Sequence, residues 1–210
     1  MPGTVQAVAA VKPRTKSEKT RLRILDAAAK TFRDKGYSAT RLADIAAAAD
    51  TQAGSLYYHF ESKDQLLAEV LDRGIVRVAE FVRHRVDALG PSASHRERLR
   101  VAILAQLEIN LEHDDYVAAN IHLNDQIPEP IREAQIRKHR IYAAYWQGLL
   151  KGAQDAGEIR PEVDISLARL NLFGMMNWSF EWYRPGRLDI ETIAGTMCET
   201  LFDGIGTHSP

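Results

Sequence analysis

The chain has 210 residues, 45% of them hydrophobic and 26% charged, enough apolar mass for one large domain or for a small domain joined to a larger one. Its 27 Lys and Arg against 28 Asp and Glu give a net charge of -1, and its single cysteine, Cys198, excludes an internal disulfide and a thiolate metal cluster. No window approaches the roughly eighteen apolar residues that span a bilayer, and the N-terminal basic residues follow an apolar stretch, the reverse of a secretory signal, so a soluble cytoplasmic protein is expected.

The charge is divided along the chain. The first 65 residues hold eleven Lys and Arg against seven Asp and Glu, leaving sixteen against twenty-one for the rest. Lys12, Arg14, Lys16, Lys19, Arg21 and Arg23 face only Glu18, a pattern that suits a polyanion and equally suits a solvated tail. Residues 1–16 lack periodicity and contain Pro2, Gly3 and Pro13, which predicts a disordered basic arm. Ser17 then caps a first helix with Leu22, Leu25, Ala29 and Phe32 on one stripe, closing at Lys35 and Gly36.

Thr40 is placed to cap a short second helix with Leu42, Ile45, Ala46 and Ala49 inward, and Asp50-Thr51 breaks it before a third, GSLYYHF, at 54–60. At about 100° per residue Leu56 and Phe60 share a face while Gly54, Ser55 and Tyr58 point away. A small residue where two helices touch (Ala46), a bend residue tolerant of positive φ (Asp50) and an apolar plug (Leu56) are what a helix-turn-helix needs. Asp is a poorer left-handed residue than Gly but an admissible one.

The second helix of such a unit enters the major groove of DNA. Gly54 lets its backbone approach closely; the polar tips of Ser55, Tyr57, Tyr58 and His59 can donate to phosphate oxygens, and a ring can touch a thymine methyl. Lys63, in the first turn of the following helix, adds a charge beside a positive N-terminus. The alternative, aromatics packed under the rest of the chain, suits Tyr57 on the flank better than Tyr58 opposite Leu56.

The stretch GYSATRLADIAAAADTQAGSLYYHFESKDQLL resembles the DNA-binding domain of the TetR family of transcriptional regulators at Gly36, Tyr37, Ala39, Thr40, Ile45, Ala46, Gly54, Leu56, Tyr57, His59, Phe60 and Lys63. The resemblance implies phosphate contacts from Tyr57, His59 and Lys63, and base reading from Ala53, Ser55 and Tyr58, helped by Thr40 and Arg41 at the start of the second helix. It departs from the family pattern at Asp50, in place of the usual turn glycine, at Gln52, where a capping Ser is common, and at Ala43, where many members carry Arg. Arg41 could substitute as a guanine reader or hold a phosphate, and Gln52 could read adenine or face solvent.

Ser62 caps a long amphipathic helix ending at Gly90, and further helices are predicted at 94–112, 114–126, 129–156, 164–183 and 189–204, with no sustained strand alternation. The expected architecture is all-α: an arm over 1–16, a helix-turn-helix DNA-binding domain over 17–65, and a helical effector-binding and dimerisation domain over 66–210. In the TetR family the last two helices usually form a dimer interface. RLNLFGMMNWSFEWY is apolar nearly all round, as a helix buried on both sides would be, or one wholly inside its own core. Leu170, Phe173, Gly174, Ile193, Met197 and Leu201 are the candidate contacts.

NWSFEWYRPG, at 177–186, resembles a terminal motif of TetR-type regulators that respond to acyl-CoA thioesters. That resemblance gives Trp178 and Trp182 to the wall of an acyl cavity and Arg184 to a CoA phosphate; equally, the tryptophans fill a core and Arg184 turns the chain. Asn110, Tyr116, Asn120, Tyr145 and Asn177 are polar residues in apolar helices, able to orient a ligand or to be satisfied core groups. The expectation is a homodimeric, ligand-responsive repressor of operator DNA released by a small hydrophobic effector such as an acyl-CoA. A drug-responsive repressor of an efflux gene and a constitutive DNA-binding protein are the alternatives. An enzyme is not expected: His113-Asp114-Asp115 sits at a helix junction where Asp is a common cap, no HExxH, phosphate loop or nucleophile elbow is present, and no cofactor or metal is implied.

Overall fold

The computed structural model describes residues 15–112, 114–123 and 125–205, so most of the basic arm, and His113, lie outside the described residues. Within them the elements are all helices: α1 (Lys16–Ala39), α2 (Leu42–Ala48), α3 (Ala53–His59), α4 (Lys63–Asp87), α5 (His95–Leu111), α6 (Asp115–His122), α7 (Glu129–Asp155), α8 (Ile165–Trp182) and α9 (Ile190–Ile205). None of these helices is long and apolar enough to cross a membrane.

Local chemistry moves several predicted ends. Thr15, not Ser17, caps α1, because Thr15 has a glutamate three residues on: Glu18 N donates to Thr15 Oγ1 at 3.2 Å and Thr15 N to Glu18 Oε2 at 2.7 Å. The chain leaves the helix at Gly36 (φ 76, ψ 170), a conformation open only to glycine, then makes one more turn to Ala39. Thr40 does not cap α2. Its hydroxyl donates back to Gly36 O at 2.6 Å, Arg41 takes the cap position, and the Asp44 carboxylate accepts from Arg41 N. Asp50 does adopt φ 47 at the bend, and Ser62 does cap α4, accepting from Gln65 N at 3.1 Å.

Two apolar clusters organise the fold, and α4 belongs to both. The first joins α1, α2 and α3 through Ile24, Leu25, Phe32, Ile45, Leu56 and Phe60 to Leu66, Leu67, Val70 and Leu71 of α4, and is closed by Tyr116, Ala119 and Leu123 of the α6 segment. The second begins at Ile75 and runs along the remainder of α4 to α5, α7, α8 and α9 around the fully buried Trp146. Burying side chains such as Leu56 and Phe60 stabilises each by about 1.5–3 kcal/mol, so α3 is held by its plug residues and not by its own seven-residue helix.

The seam where α1 meets α4 and α6 is rimmed by polar pairs. Arg21 makes a two-pronged pair with Glu69, Arg33 pairs with Asp115, and the Tyr116 hydroxyl donates to Asp26 at 2.6 Å. Asp114 caps α6, its Oδ1 accepting from Tyr116 N and Val117 N, while its other oxygen accepts from Arg77 at 2.7 Å.

Candidate nucleic-acid interface and effector cavity

α3 is too short to stand alone, so its two faces have separate fates. Leu56 and Phe60 are buried, whereas Tyr57 is 58% and Tyr58 80% exposed. Tyr58 leans edge-on against His59, ring centres 5.0 Å apart, which holds both rings at the outer surface. Gly54 has open space where a Cβ would stand, and Gln52, Ala53 and Gly54 are exposed at the start of the helix, with Ser55 half-buried. Arg41 is also exposed, at the start of α2.

Two of the candidate DNA contacts sit differently. Thr40 is buried, with its hydroxyl turned to Gly36 O, because the helix end beneath it needs a donor. Lys63 supplies that same end: its ammonium donates to Tyr37 O at 2.9 Å and Thr40 O at 3.1 Å, 4.1 Å from the centre of the Tyr37 ring. The Tyr37 hydroxyl donates in turn to the Asp64 carboxylate, and partial burial together with that carboxylate pushes its pKa up to about 12. The first turn of α4 is thereby clamped to the last turn of α1. Gln126, after α6, braces the other side, its Oε1 accepting from Tyr37 N at 3.0 Å.

A cavity of about 550 Å³ lies in the larger cluster. Gly74, Ile75 and Val78 of α4 form one wall and Val117, Asn120 and Ile121 of α6 another. Gln106 and Asn110 of α5 and Tyr142 of α7 close the deep end, all three buried. Phe173, packed edge-on against Tyr142 and Trp146, lines it from α8, and the exposed Asn177, Trp178, Glu181, Asp125 and His139 surround the mouth. The residues crowding the mouth desolvate one side of the His139 ring, its other side being open to water, and this lowers its pKa.

Of the expected ligand residues, Asn110, Asn120, Asn177 and Trp178 line the cavity. Tyr116 does not, because its hydroxyl is committed to Asp26 in the seam. Tyr145 packs under the Arg83 guanidinium, 5.1 Å from its ring centre. Trp182 and Arg184 lie off the cavity at the end of α8, where Arg184 donates to the carbonyls of Glu181 and Tyr183 as a C-terminal cap. Gln106 and Tyr142 were missed. Gln106 had a signal, a second amide one turn before Asn110 on the same face; Tyr142 had none.

The expected dimer contacts also divide. Ile193, Met197 and Leu201 are buried within their own chain, because the apolar face of α9 packs onto α5. Phe173 faces the cavity, Gly174 lines its open edge, and Leu170 is exposed away from it. α8 is therefore not buried all round: Ile165, Ala168, Leu172 and Met176 turn inward, and Leu167, Leu170, Trp178 and Trp182 are exposed.

Comparison with known proteins decides what this arrangement is. Residues 24–70 match the model of bacterial regulatory proteins of the tetR family, and residues 92–205 match that of the tetracyclin repressor-like C-terminal domain. The chain belongs to the TetR family. It is similar to the transcriptional repressor KstR2 of Mycobacterium tuberculosis, 30% identical over 164 residues covering 78% of this chain and 80% of that protein. The KstR2 of Rhodococcus jostii is 27% identical over 189 residues, 89% of this chain and 91% of the relative. Among solved structures, AibR in complex with isovaleryl coenzyme A and operator DNA superposes with a TM-score of 0.78 at 29% identity, covering 87% of this chain and 98% of AibR. These TetR-family relatives are regulators of transcription and not enzymes.

Proposed function

We propose that the protein is a homodimeric repressor that holds a pseudo-palindromic operator and lets it go when an acyl-CoA thioester fills the cavity. One observation carries the reading: α4 walls the cavity with Gly74, Ile75 and Val78 and, a few turns earlier, packs into the helix-turn-helix cluster and clamps α1 through Lys63. A ligand that displaces one end of α4 moves the other. Release requires that the ligand bind the DNA-free arrangement better, and operator must then weaken ligand binding by the same factor.

The exposed α3 face of residues 52–59, with Arg41, is the DNA-contacting surface in this reading. Two copies would have to sit about 34 Å apart to meet successive major grooves. The DNA-binding part is 17–65 and the effector and dimer part 66–210, with α4 as the shared lever. The outward stripe of α8, Leu167, Leu170, Gly174 and Trp178, is the dimer surface; apolar residues at that spacing without cover mark an interaction site. An adjoining groove of about 340 Å³ shares His139 with the cavity and carries Arg132 and Arg140, whose guanidinium groups suit the phosphates of a CoA better than Arg184 does. A DNA-bound, CoA-sensing protein works in the cytoplasm.

Fluorescence anisotropy on duplexes selected by the protein from a random pool, titrated with isovaleryl-CoA and longer acyl-CoAs, tests the reading. Loss of DNA binding on adding a thioester is expected. A chain that selects no duplex, or whose DNA affinity no acyl-CoA alters, would refute it. A second reading has the carboxylate of Glu181 at the cavity mouth in its favour: it suits a cationic drug, and release by cationic dyes but not by thioesters would select it.

A further inference from the structure

The deep end of the cavity carries a directed chain of hydrogen bonds that stops one donor short. The Tyr142 hydroxyl donates to Gln106 Oε1, and Gln106 Nε2 donates to Asn110 Oδ1 at 2.9 Å. Asn110 is 2% exposed, lines the cavity, and its Nδ2 has no partner. Burial raises the pKa of the Tyr142 phenol, so it keeps its proton and stays a donor. That proton fixes the amide of Gln106 with its oxygen toward Tyr142, and Gln106 in turn fixes Asn110 with its oxygen inward and its nitrogen unused. Reversing both amides would strand the hydroxyl proton away from the acceptor it has here.

Charge sharpens the requirement. The lining among the described residues includes two carboxylates, Asp125 and Glu181, and no lysine or arginine. Its one basic residue is His139, exposed at the mouth, where partial desolvation lowers its pKa. A ligand carboxylate drawn to the deep end would pass acidic groups and lose its water with no counter-charge to replace it. A carbonyl oxygen would meet the waiting N–H with no charge to desolvate.

We infer that Asn110 selects the effector by donating its free Nδ2–H to an uncharged carbonyl oxygen, so that the cavity takes a thioester or ketone and refuses the corresponding free acid. The inference rests on the cavity being the effector site and adds the identity of the selecting group and the class it selects. A buried donor left unmade discriminates by roughly tenfold to a hundredfold between a ligand that satisfies it and one of the same shape that cannot.

Calorimetric titration of the full chain with octanoyl-CoA, with S-octyl-CoA, in which a methylene replaces the carbonyl, and with octanoate tests it. Octanoyl-CoA should bind at least about tenfold tighter than S-octyl-CoA, and octanoate should not bind. Asn110→Leu should bring the two CoA compounds to equal affinity by weakening only the thioester. Should that variant fail to fold, the ratio measured on the unaltered chain still decides. Equal binding of thioester and thioether, or binding of octanoate as tight as that of octanoyl-CoA, overturns the role of Asn110 while leaving an acyl-CoA effector standing. If neither CoA compound binds but a long-chain methyl ketone does, with an affinity that Asn110→Leu destroys, the role of Asn110 holds and the acyl-CoA reading falls. Binding of none of these probes overturns both.

Discussion

The ammonium of Lys63 lies over the ring of Tyr37, 4.1 Å from its centre, and donates to the backbone carbonyl of the same residue at 2.9 Å. A lysine read from the sequence as a phosphate contact thus has two of its three N–H groups on the carbonyls that end α1, leaving one for DNA. Lys63→Ala should therefore act twice. It should lower stability by about 1 kcal/mol, the size of a half-exposed charge-assisted bond, and weaken operator and random duplex by the same factor. Thermal denaturation and parallel anisotropy titrations check this; an unchanged melting temperature with a loss confined to the operator contradicts it.

Tyr58 is the opposite case. It is 80% exposed and its ring rests against His59 at the surface, so its removal leaves the core untouched. Tyr58→Ala should change stability by less than about 0.5 kcal/mol. The ratio of operator to random-duplex affinity should fall roughly tenfold, the order expected for one lost base contact. Equal losses on both duplexes would move Tyr58 from base reading to phosphate binding.

How far the sequence revealed this molecule depends on whether a signal was local. The caps of Ser62 and Asp114, the plug of Leu56 and Phe60 and the strained bend at Asp50 depend on residues a few positions apart, and pattern reading finds them. The Lys63 clamp joins residues 23 and 26 positions apart, and Gln126 meets Tyr37 from 89 positions away, so no periodicity encodes either. α9 is ambiguous for a different reason. A helix face that packs onto its own chain and one that packs onto a second subunit look alike in one sequence; only the burial of Ile193, Met197 and Leu201 against α5 separates them.

Leu170 is 54% exposed and Trp178 67%, on the same outward side of α8. A charge placed there is free in a monomer and unpaired in a closed dimer interface. Leu170→Glu should leave far-ultraviolet circular dichroism unchanged and shift the sedimenting species from dimer to monomer. It should also abolish tight operator binding, since one recognition helix alone covers half a site. A native chain that sediments as a monomer at micromolar concentration removes the basis of this prediction.

Cys198 is the only cysteine, and burial against α5 raises its thiol pKa above the ordinary 9.0. In the unfolded chain the thiol ionises near that value, whereas in the folded chain it stays protonated to higher pH. The unfolded state then binds fewer protons above pH 9.0, so this contribution to stability is full below 9.0 and is lost as pH rises toward the folded value. Ellman's reagent at pH 8 should leave the native thiol untouched and titrate it after addition of denaturant. Cys198→Ala should flatten the fall in stability on the alkaline side. Stoichiometric labelling of the native chain would show the thiol is reached without unfolding.

Gly74 stands where α4 crosses α6, at the edge of the cavity. A Cβ there would come within 2.1 Å of Asn120 Nδ2 and 2.4 Å of Tyr116 O, and the second of these is backbone that cannot turn aside. Asn120 itself donates to Leu71 O at 3.1 Å and Tyr116 O at 3.0 Å, stapling the two helices at this point. Gly74→Ala must therefore push α4 from α6 and stretch the staple, costing about 1–3 kcal/mol as overpacking does, less the few tenths to 1 kcal/mol that alanine returns as a better helix former. Because Leu66, Leu67, Val70 and Leu71 of the same helix belong to the helix-turn-helix cluster, the displacement should also reach α3. The expected variant melts lower and binds its operator more weakly without any effector present, so adding acyl-CoA changes its DNA affinity less than it changes that of the native chain. Asn120→Ala in the same background removes the nearer clash but not the backbone one, and should restore only part of the lost stability. If Gly74→Ala kept native stability and full operator affinity, α4 and α6 would not be in contact closely enough for a ligand between them to act as a lever.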